Sequence, residues 1–390
     1  MFPRLLQNPD HSFFLFGPRG VGKTTWILST LPAEKVWILD LLDYENELRY
    51  TRMPQAFPQT LAALAPSIEW VVIDEVQKLP FLLDEVHRYI NSGGKLKFCL
   101  TGSSARKLKR GEANLLAGRA FSLTMGPLTS IEMGAAFNLD KALAYGTLPD
   151  AVRLTTAHKN TYLRSYTHTY LKEEIQAEGV VRKLPSFTRF LELAAFESGN
   201  TLNFSNLSRE IGVDLKTCRA YFQILEDTLL GFYLLAWTKS VRKQQLSHPK
   251  FYLFDTGVTR ALTQQLTLPL LPKTSEYGRA FEQFWVCELV RINAYLAKDF
   301  RFYYLATASM EVDLVIERPG RQALFVELKS TDFVQNRELK TLITFKKEYP
   351  ESEAICLCRE PRKRIVDGVL VCPWQEAITA IFGDFDSFLG

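Results

Sequence analysis

At 390 residues the chain is too long for one ordinary core and points to two to four domains. Its 47% hydrophobic and 23% charged content is that of a globular protein, and no apolar run approaches a bilayer span, so no membrane partner is expected. A net charge of +4, with a pI near 8.6, does not by itself mark a nucleic-acid binder; local patches have to carry that reading.

The amino-terminal residues show no basic stretch followed by an apolar segment, so no signal peptide is expected. The six cysteines (Cys99, Cys218, Cys287, Cys356, Cys358, Cys372) sit mostly in apolar runs without paired metal spacing. They read as reduced, buried thiols of a cytoplasmic protein. The first element is an apolar strand, Phe13 to Phe16. It runs into Gly17-Pro18-Arg19-Gly20-Val21-Gly22-Lys23-Thr24-Thr25, and a helix-compatible stretch follows to Thr30. Strand, glycine loop, helix is the context of a phosphate-binding loop. The glycines let several N–H groups converge on one anion, and the helix adds its positive end. The loop therefore predicts ATP binding, with Lys23 on the outer phosphates and the Thr24 hydroxyl on Mg2+.

Three further apolar strands follow: Val36 to Asp40, Ile68 to Asp74, and Leu96 to Thr101. An amphipathic helix, Pro80 to Asn91, lies between the last two. Apolar strands alternating with helices imply a parallel sheet covered on both faces. Asp74 ends its strand beside the loop, where it can hold the magnesium shell, and Glu75 is placed to polarise a water. Ser103, after the fourth strand, could touch the γ-phosphate or cap a helix. The segment from Ser104 to Arg119 carries Arg106, Lys107, Lys109, Arg110 and Arg119 against one acid, Glu112. Arg119, just before a fifth strand (Ala120 to Met125), is the candidate finger for a neighbouring subunit's γ-phosphate, which would make the protein a homo-oligomer; an ordinary solvated charge is the alternative.

The G-P-R-G-V-G-K-T-T loop, V-I-D-E-V-Q-K-L-P, T-G-S-S-A-R and L-A-G-R-A-F-S-L followed by P-L-T-S-I-E-M resemble the AAA-type ATPases of bacteria and archaea. Within them they are similar to the branch whose carboxyl half is restriction-endonuclease-like. The resemblance implies an additional-strand sheet over residues 1–135, Ser103 as the sensor on the fourth strand, and a helical lid over 136–182. Where such ATPases carry Gly-Gly-Phe-Pro, this chain has Tyr145-Gly146-Thr147-Leu148-Pro149, so no lid arginine is assigned.

In that lid Asn160 to Glu178 reads as a helix with Tyr162, Tyr166 and Tyr170 on one stripe, more a core face than a base-stacking one. From 183 to 250, a helix (Phe187 to Phe196) follows Pro185. Then come a Ser205-capped helix (Asn206 to Ile211), a Gly212-Val213-Asp214 turn, a helix (Leu215 to Thr228) and a strand (Phe232 to Trp237). This is the order of a winged helix-turn-helix. Lys216, Thr217 and Arg219 would approach DNA, and Lys239, Arg242, Lys243 and Lys250 would form the wing; the same module also serves to dock proteins.

Residues 251–390 read as helix (Gly278 to Leu296), strands (Arg301 to Leu305, Glu311 to Glu317, Ala323 to Lys329), helix (Gln335 to Glu348) and strand (Glu353 to Cys358). Asp313 inside V-D-L-V-I would be costly to bury without a partner. Glu327 and Lys329 face one side of their strand, so Asp313 and Glu327 can share a divalent metal while Lys329 activates a water. This order and its acid…E-x-K pattern resemble the restriction-endonuclease-like family, which implies Glu282, Asp313, Glu327 and Lys329 as its metal and catalytic set. The fold class expected is therefore α/β: a P-loop ATPase domain with a parallel sheet and helical lid, a winged helix-turn-helix, and an α/β nuclease-like domain. The functional expectation is an ATPase that engages DNA, with metal-dependent cleavage as a further step. The alternatives are a nucleotide-regulated switch or assembly protein whose carboxyl domains dock proteins, and an ATPase that remodels proteins.

Overall fold

The computed structural model describes residues 2–103, 118–170, 184–238, 248–307 and 310–383. The amino-terminal sheet is built from β1 (Phe13–Phe16), β2 (Val36–Asp40), β3 (Trp70–Asp74), β4 (Lys97–Gly102) and β5 (Phe121–Thr124), in the spatial order β2-β3-β4-β1-β5. All pairs are parallel. β4 therefore lies between the loop strand and the acid-bearing strand, as the additional-strand expectation requires. Helices α1 (Lys23–Thr30), α2 (Tyr44–Arg52), α3 (Ala56–Ala63) and α4 (Leu82–Asn91) connect the strands. β1, β3 and most of β4 are buried on both faces, which is why they read as unbroken apolar runs. The exposed, polar α2 gave no such signal.

After β5 come α5 (Ser130–Met133), α6 (Leu139–Tyr145), α7 (Pro149–Arg153) and α8 (Thr156–Ser165), the last running into a π turn, Tyr166–Tyr170. Then follow α9 (Leu184–Phe196), α10 (Phe204–Ile211) and α11 (Leu215–Asp227). Pro185 sits in the first turn of α9, where its missing N–H costs nothing. Gly212, in left-handed backbone (φ 76°), closes α10. Asn203, not Ser205, caps α10: its Oδ1 accepts the Asn206 N–H at 3.0 Å.

The second sheet comprises β6 (Gly231–Ala236), β7 (Lys250–Leu253), β8 (Arg301–Ala306), β9 (Glu311–Glu317), β10 (Leu324–Leu328), β11 (Glu353–Cys358), β12 (Arg364–Val366) and β13 (Val369–Pro373). Its order is β12-β13-β11-β10-β9-β8-β6-β7, with α12 (Thr256–Leu262), α13 (Ser275–Tyr295), α14 (Lys340–Glu348) and α15 (Ala377–Phe382) around it. β6, expected to belong to the winged helix, pairs in parallel with β8 through Leu235↔Tyr303 and Ala236↔Tyr304. The boundary expected at residue 250 falls at the start of β7, so the sheet crosses it. One continuous core also joins Phe13 and Leu15 of β1, Trp26 of α1, Leu163 of α8, Phe190 of α9, Phe222 of α11 and Phe251 of β7.

Candidate functional site

The phosphate loop owes its shape to three glycines. Gly20 and Gly22 lie in left-handed backbone (φ 80° and 91°), and a Cβ on Gly17 would collide with the Met125 carbonyl. α1 starts at Lys23, with no side chain capping its first N–H groups, which leaves them for an anion. Lys23 is buried, its Nζ donating to the carbonyls of Gly17 (2.7 Å) and Pro18 (3.3 Å). The Thr24 hydroxyl donates to Asp74 Oδ2 at 3.0 Å, and Thr101 Oγ1 donates to Asp74 Oδ1. A hydroxyl and a carboxylate in contact at the foot of a phosphate loop are the donors that fit Mg2+ beside a triphosphate. The cavity above them holds about 740 Å³ and is lined by Arg19 to Thr25, Asp74 and Glu75. That is ample for a nucleotide.

Glu75 itself sits in left-handed backbone (φ 59°), uncommon for a non-glycine residue, and its N–H donates to Thr101 Oγ1 at 3.1 Å. The Gln77 amide donates to Glu75 Oε2 and, at 3.3 Å, to Ser103 Oγ. Ser103 is thus joined to Glu75 through Gln77 and is not part of the cavity wall. Arg119 lies just ahead of β5, at the end of the sheet opposite the loop, exposed and 3.0 Å from His87 Nε2. It does not reach the loop of its own chain. The neighbouring Arg106, Lys107, Lys109 and Arg110 lie outside the described residues.

Sequence reasoning missed three parts of this site. Gln77 follows Glu75 by two in a 3₁₀ turn, a spacing with no motif attached. Thr101, buried at the end of β4, read only as strand. Phe2, Pro3, Arg4 and Leu6 form part of the cavity wall, together with Pro149, Asp150 and Arg153. Arg4 fixes that wall. Its Nη1 donates to Val21 O (3.2 Å), its Nη2 to Gly126 O (2.7 Å) and Tyr295 Oη (3.0 Å), and its Nε lies 3.0 Å from buried Glu132.

Residues 10–134 match the family model described as an AAA domain. This part of the chain is similar to AAA domains. Residues 136–268 and 277–377 match two models each described as a domain of unknown function (DUF8612 and DUF4143). Uncharacterized proteins of Mycobacterium bovis and Mycobacterium tuberculosis are each 27% identical over 319 residues, spanning 81% of this chain and 70% of their own. An uncharacterized protein of Haemophilus influenzae is 21% identical, spanning 89% and 90%. Among solved structures, the Aeropyrum pernix ORC2 protein in its ADP form overlaps with a TM-score of 0.31 at 14% identity, over 74% of this chain and 88% of that one. Domain III of the Thermotoga maritima replication initiation protein DnaA gives 0.24 at 16%, over 54% and 83%.

Far along the chain from the phosphate loop, the expected carboxylates do come together. Asp313 on β9 and Glu327 on β10 are adjacent, and burial raises the pKa of both; for Asp313 the next cause is the Glu327 carboxylate. Asp313 Oδ2 accepts the Leu328 N–H at 2.7 Å. Lys329 Nζ lies 2.5 Å from Glu327 Oε1, while Glu327 Oε2 is buried without a hydrogen bond. Glu282, on α13, accepts from Tyr252 Oη (2.7 Å) and from Lys250 Nζ (3.2 Å). Lys250 is also 2.5 Å from Glu311, and it is almost wholly buried. Burial would lower its pKa, but Glu282, Asp313 and Glu311 more than offset that and raise it. The oxygens are the kind a hard cation takes. Among the described residues, however, no three such groups converge closely enough to hold an ion. In this arrangement the ammonium groups of Lys250 and Lys329 supply positive charge beside these carboxylates. Lys250 was expected in the wing; its place on β7 puts it here.

α10, the Gly212 turn and α11 follow one another where a helix-turn-helix was expected. Lys216 and Arg219 are exposed on α11, with the Arg219 guanidinium 5.1 Å from the Phe204 ring centroid. Thr217 is engaged in the cap: its N–H and hydroxyl both donate to Asp214, at 2.9 and 2.6 Å. The wing residues Lys239, Arg242 and Lys243 lie outside the described residues.

Proposed function

We propose that the chain is an ATP-hydrolysing AAA-type protein that engages DNA through its carboxyl half. The observation that carries the ATPase reading is the Thr24–Asp74 contact beneath a 740 Å³ cavity whose wall includes Lys23 and Glu75. Thr24 and Asp74 would hold Mg2+, which would supply positive charge to offset that developing on the outer phosphate. The loop N–H groups orient the phosphates, and Lys23 neutralises the outermost of them. Glu75 polarises the attacking water, and Gln77 sets the direction of its carboxylate. Arg119 is proposed to reach the site of a second copy in a homo-oligomer, with Ser103 acting on the water through Gln77.

DNA engagement is read from exposed Lys216 and Arg219 on the second helix of the helix-turn-helix, positions suited to phosphate contacts. Cutting is not part of the proposal, because Lys250 would first have to leave Glu282 and Glu311. The test is DNA affinity of the full chain at low salt, with and without ATP. Binding that weakens with salt and with Lys216→Glu plus Arg219→Glu is expected. No affinity under either condition would sink the DNA half and leave the ATPase half standing.

One observation favours the second reading, a nucleotide-regulated switch. α13 carries Glu282 into the carboxylate cluster and, about two to four turns later, touches the amino-terminal region. There Glu288 accepts the Ser130 N–H (2.6 Å), Arg291 donates to Leu128 O (3.2 Å), and Gly126 N–H donates to Tyr295 Oη (2.9 Å). ATP turnover that ignores DNA, together with recovery of a defined protein partner, would favour it.

A further inference from the structure

Beside the nucleotide cavity, and separate from it, lies a second cavity of about 270 Å³ between α6, α7 and the start of α8. Its wall contains two lysines, Lys141 and Lys159, and no acid. Lys159 is the unusual one. It is 93% buried, as its residual exposure is 7%, and among the described residues it has no carboxylate partner. Its Nζ has one long hydrogen bond, 3.4 Å to Val152 O, and stands 5.7 Å from the Tyr145 ring centroid. Burial, and after it the charge of Lys141, lowers its pKa. Buried ammonium groups are normally paired. Here, among the described residues, one hydrogen bond is made by a group with three donor positions.

The rest of the wall suits an anion. Thr155 and Thr156 line the cavity where α8 begins, and no side chain caps that ten-residue helix. Its first N–H groups therefore remain available to a ligand. Asn138 Oδ1 is engaged by the Lys141 N–H at 3.0 Å, leaving its amide N–H groups as further donors. Phe2, Met133 and Leu154 supply apolar surface. The volume is several times the roughly 30 Å³ share of one water.

We propose that this cavity binds a small oxyanion, a phosphate or carboxylate group, with Lys159 as its buried counter-ion and Lys141 as its outer one. Phe2 lines this cavity and the nucleotide cavity alike, and the Arg153 guanidinium stands 6.0 Å from its ring centroid. A ligand here therefore shares a wall with the nucleotide.

The test is calorimetric titration of the full chain with inorganic phosphate, and in parallel with citrate, the phosphate loop being filled beforehand with ADP. One site is expected for at least one of the two anions, and which of them binds assigns the ligand chemistry. Lys159→Met should weaken it about tenfold or more, and Lys141→Ala, at an exposed position, severalfold. Repeating the titration in Lys23→Ala without ADP separates this site from the loop: the heat should persist. No heat from either anion, or the same affinity in wild type and both lysine variants (an adventitious ion only), would overturn the proposal. Should Lys159→Met fail to fold, Lys141→Ala decides.

Discussion

Arg4→Met tests how the nucleotide cavity is tied to the rest of the molecule. The Arg4 and Glu132 side chains are 7% and 0% exposed, so solvent screening is slight. The Arg4 Nε–Glu132 Oε1 separation is 3.0 Å, yet that N–H finds no hydrogen-bond geometry, so the pair acts mainly through charge. Removing one member of a buried pair costs roughly 3–5 kcal/mol. Glu132 keeps two backbone donors, Leu5 N–H and Thr129 N–H, both at 2.8 Å, which places the loss near the lower end. A loss of about 3 kcal/mol is a little more than a hundredfold in the local opening equilibrium, at roughly 1.4 kcal/mol per factor of ten. Because the chain is large, the measurement should be local: hydrogen exchange at the Gly126 amide, which donates to Tyr295 Oη. Exchange there should rise about a hundredfold, with Arg4→Lys intermediate because it keeps the charge and loses the fork. The KM for ATP should rise too, since Val21 O loses its donor. A change below about 1 kcal/mol at Gly126 would show that the ion pair does not hold the two regions together.

Lys23→Ala should abolish nucleotide binding, measured with a fluorescent ATP analogue. Glu75→Gln should keep binding while turnover stops; normal turnover would remove Glu75 from its role. Gln77→Ala frees the Glu75 carboxylate, so kcat should fall at least tenfold with little change in the KM for ATP. An equal loss in Ser103→Ala would show that the Gln77–Ser103 bond matters as well. Asp313 has a folded-state pKa raised chiefly by burial, so the folded chain holds that proton more tightly than the unfolded one. Its contribution to stability therefore declines as pH rises from the ordinary carboxyl range towards the raised value. Asp313→Asn keeps an acceptor for the Leu328 N–H and should flatten that decline in urea titrations across pH. An unchanged pH profile would count against it.

Much of the amino-terminal third was legible because its signals are local. A glycine loop between a strand and a helix has one common use, and Asp74 ends a run too apolar to be anything but a buried strand. The carboxyl sheet was legible for a weaker reason: β9 and β11 were placed to the residue as short apolar runs. What could not be read were contacts set by tertiary packing. Arg4 lies 291 residues from Tyr295, and nothing near it in sequence announces the partnership. Lys250 read as a wing charge because a lysine beside other basic residues normally faces solvent; only the pairing of β6 with β7 turns it towards Glu282. Lys159 lies one residue ahead of the helix expected from Asn160, where a lysine is ordinarily exposed.

The core that passes from β1 through the lid and α11 to β7 bears on how the chain can be divided. A cut at residue 135 or 250 would strand one side of a single apolar interior in water, so neither fragment should be soluble by itself. Exchange of the carboxyl half between related proteins would succeed only where that interior is exchanged with it. For cutting and for exchange alike, the amino-terminal sheet and β7 count as one part.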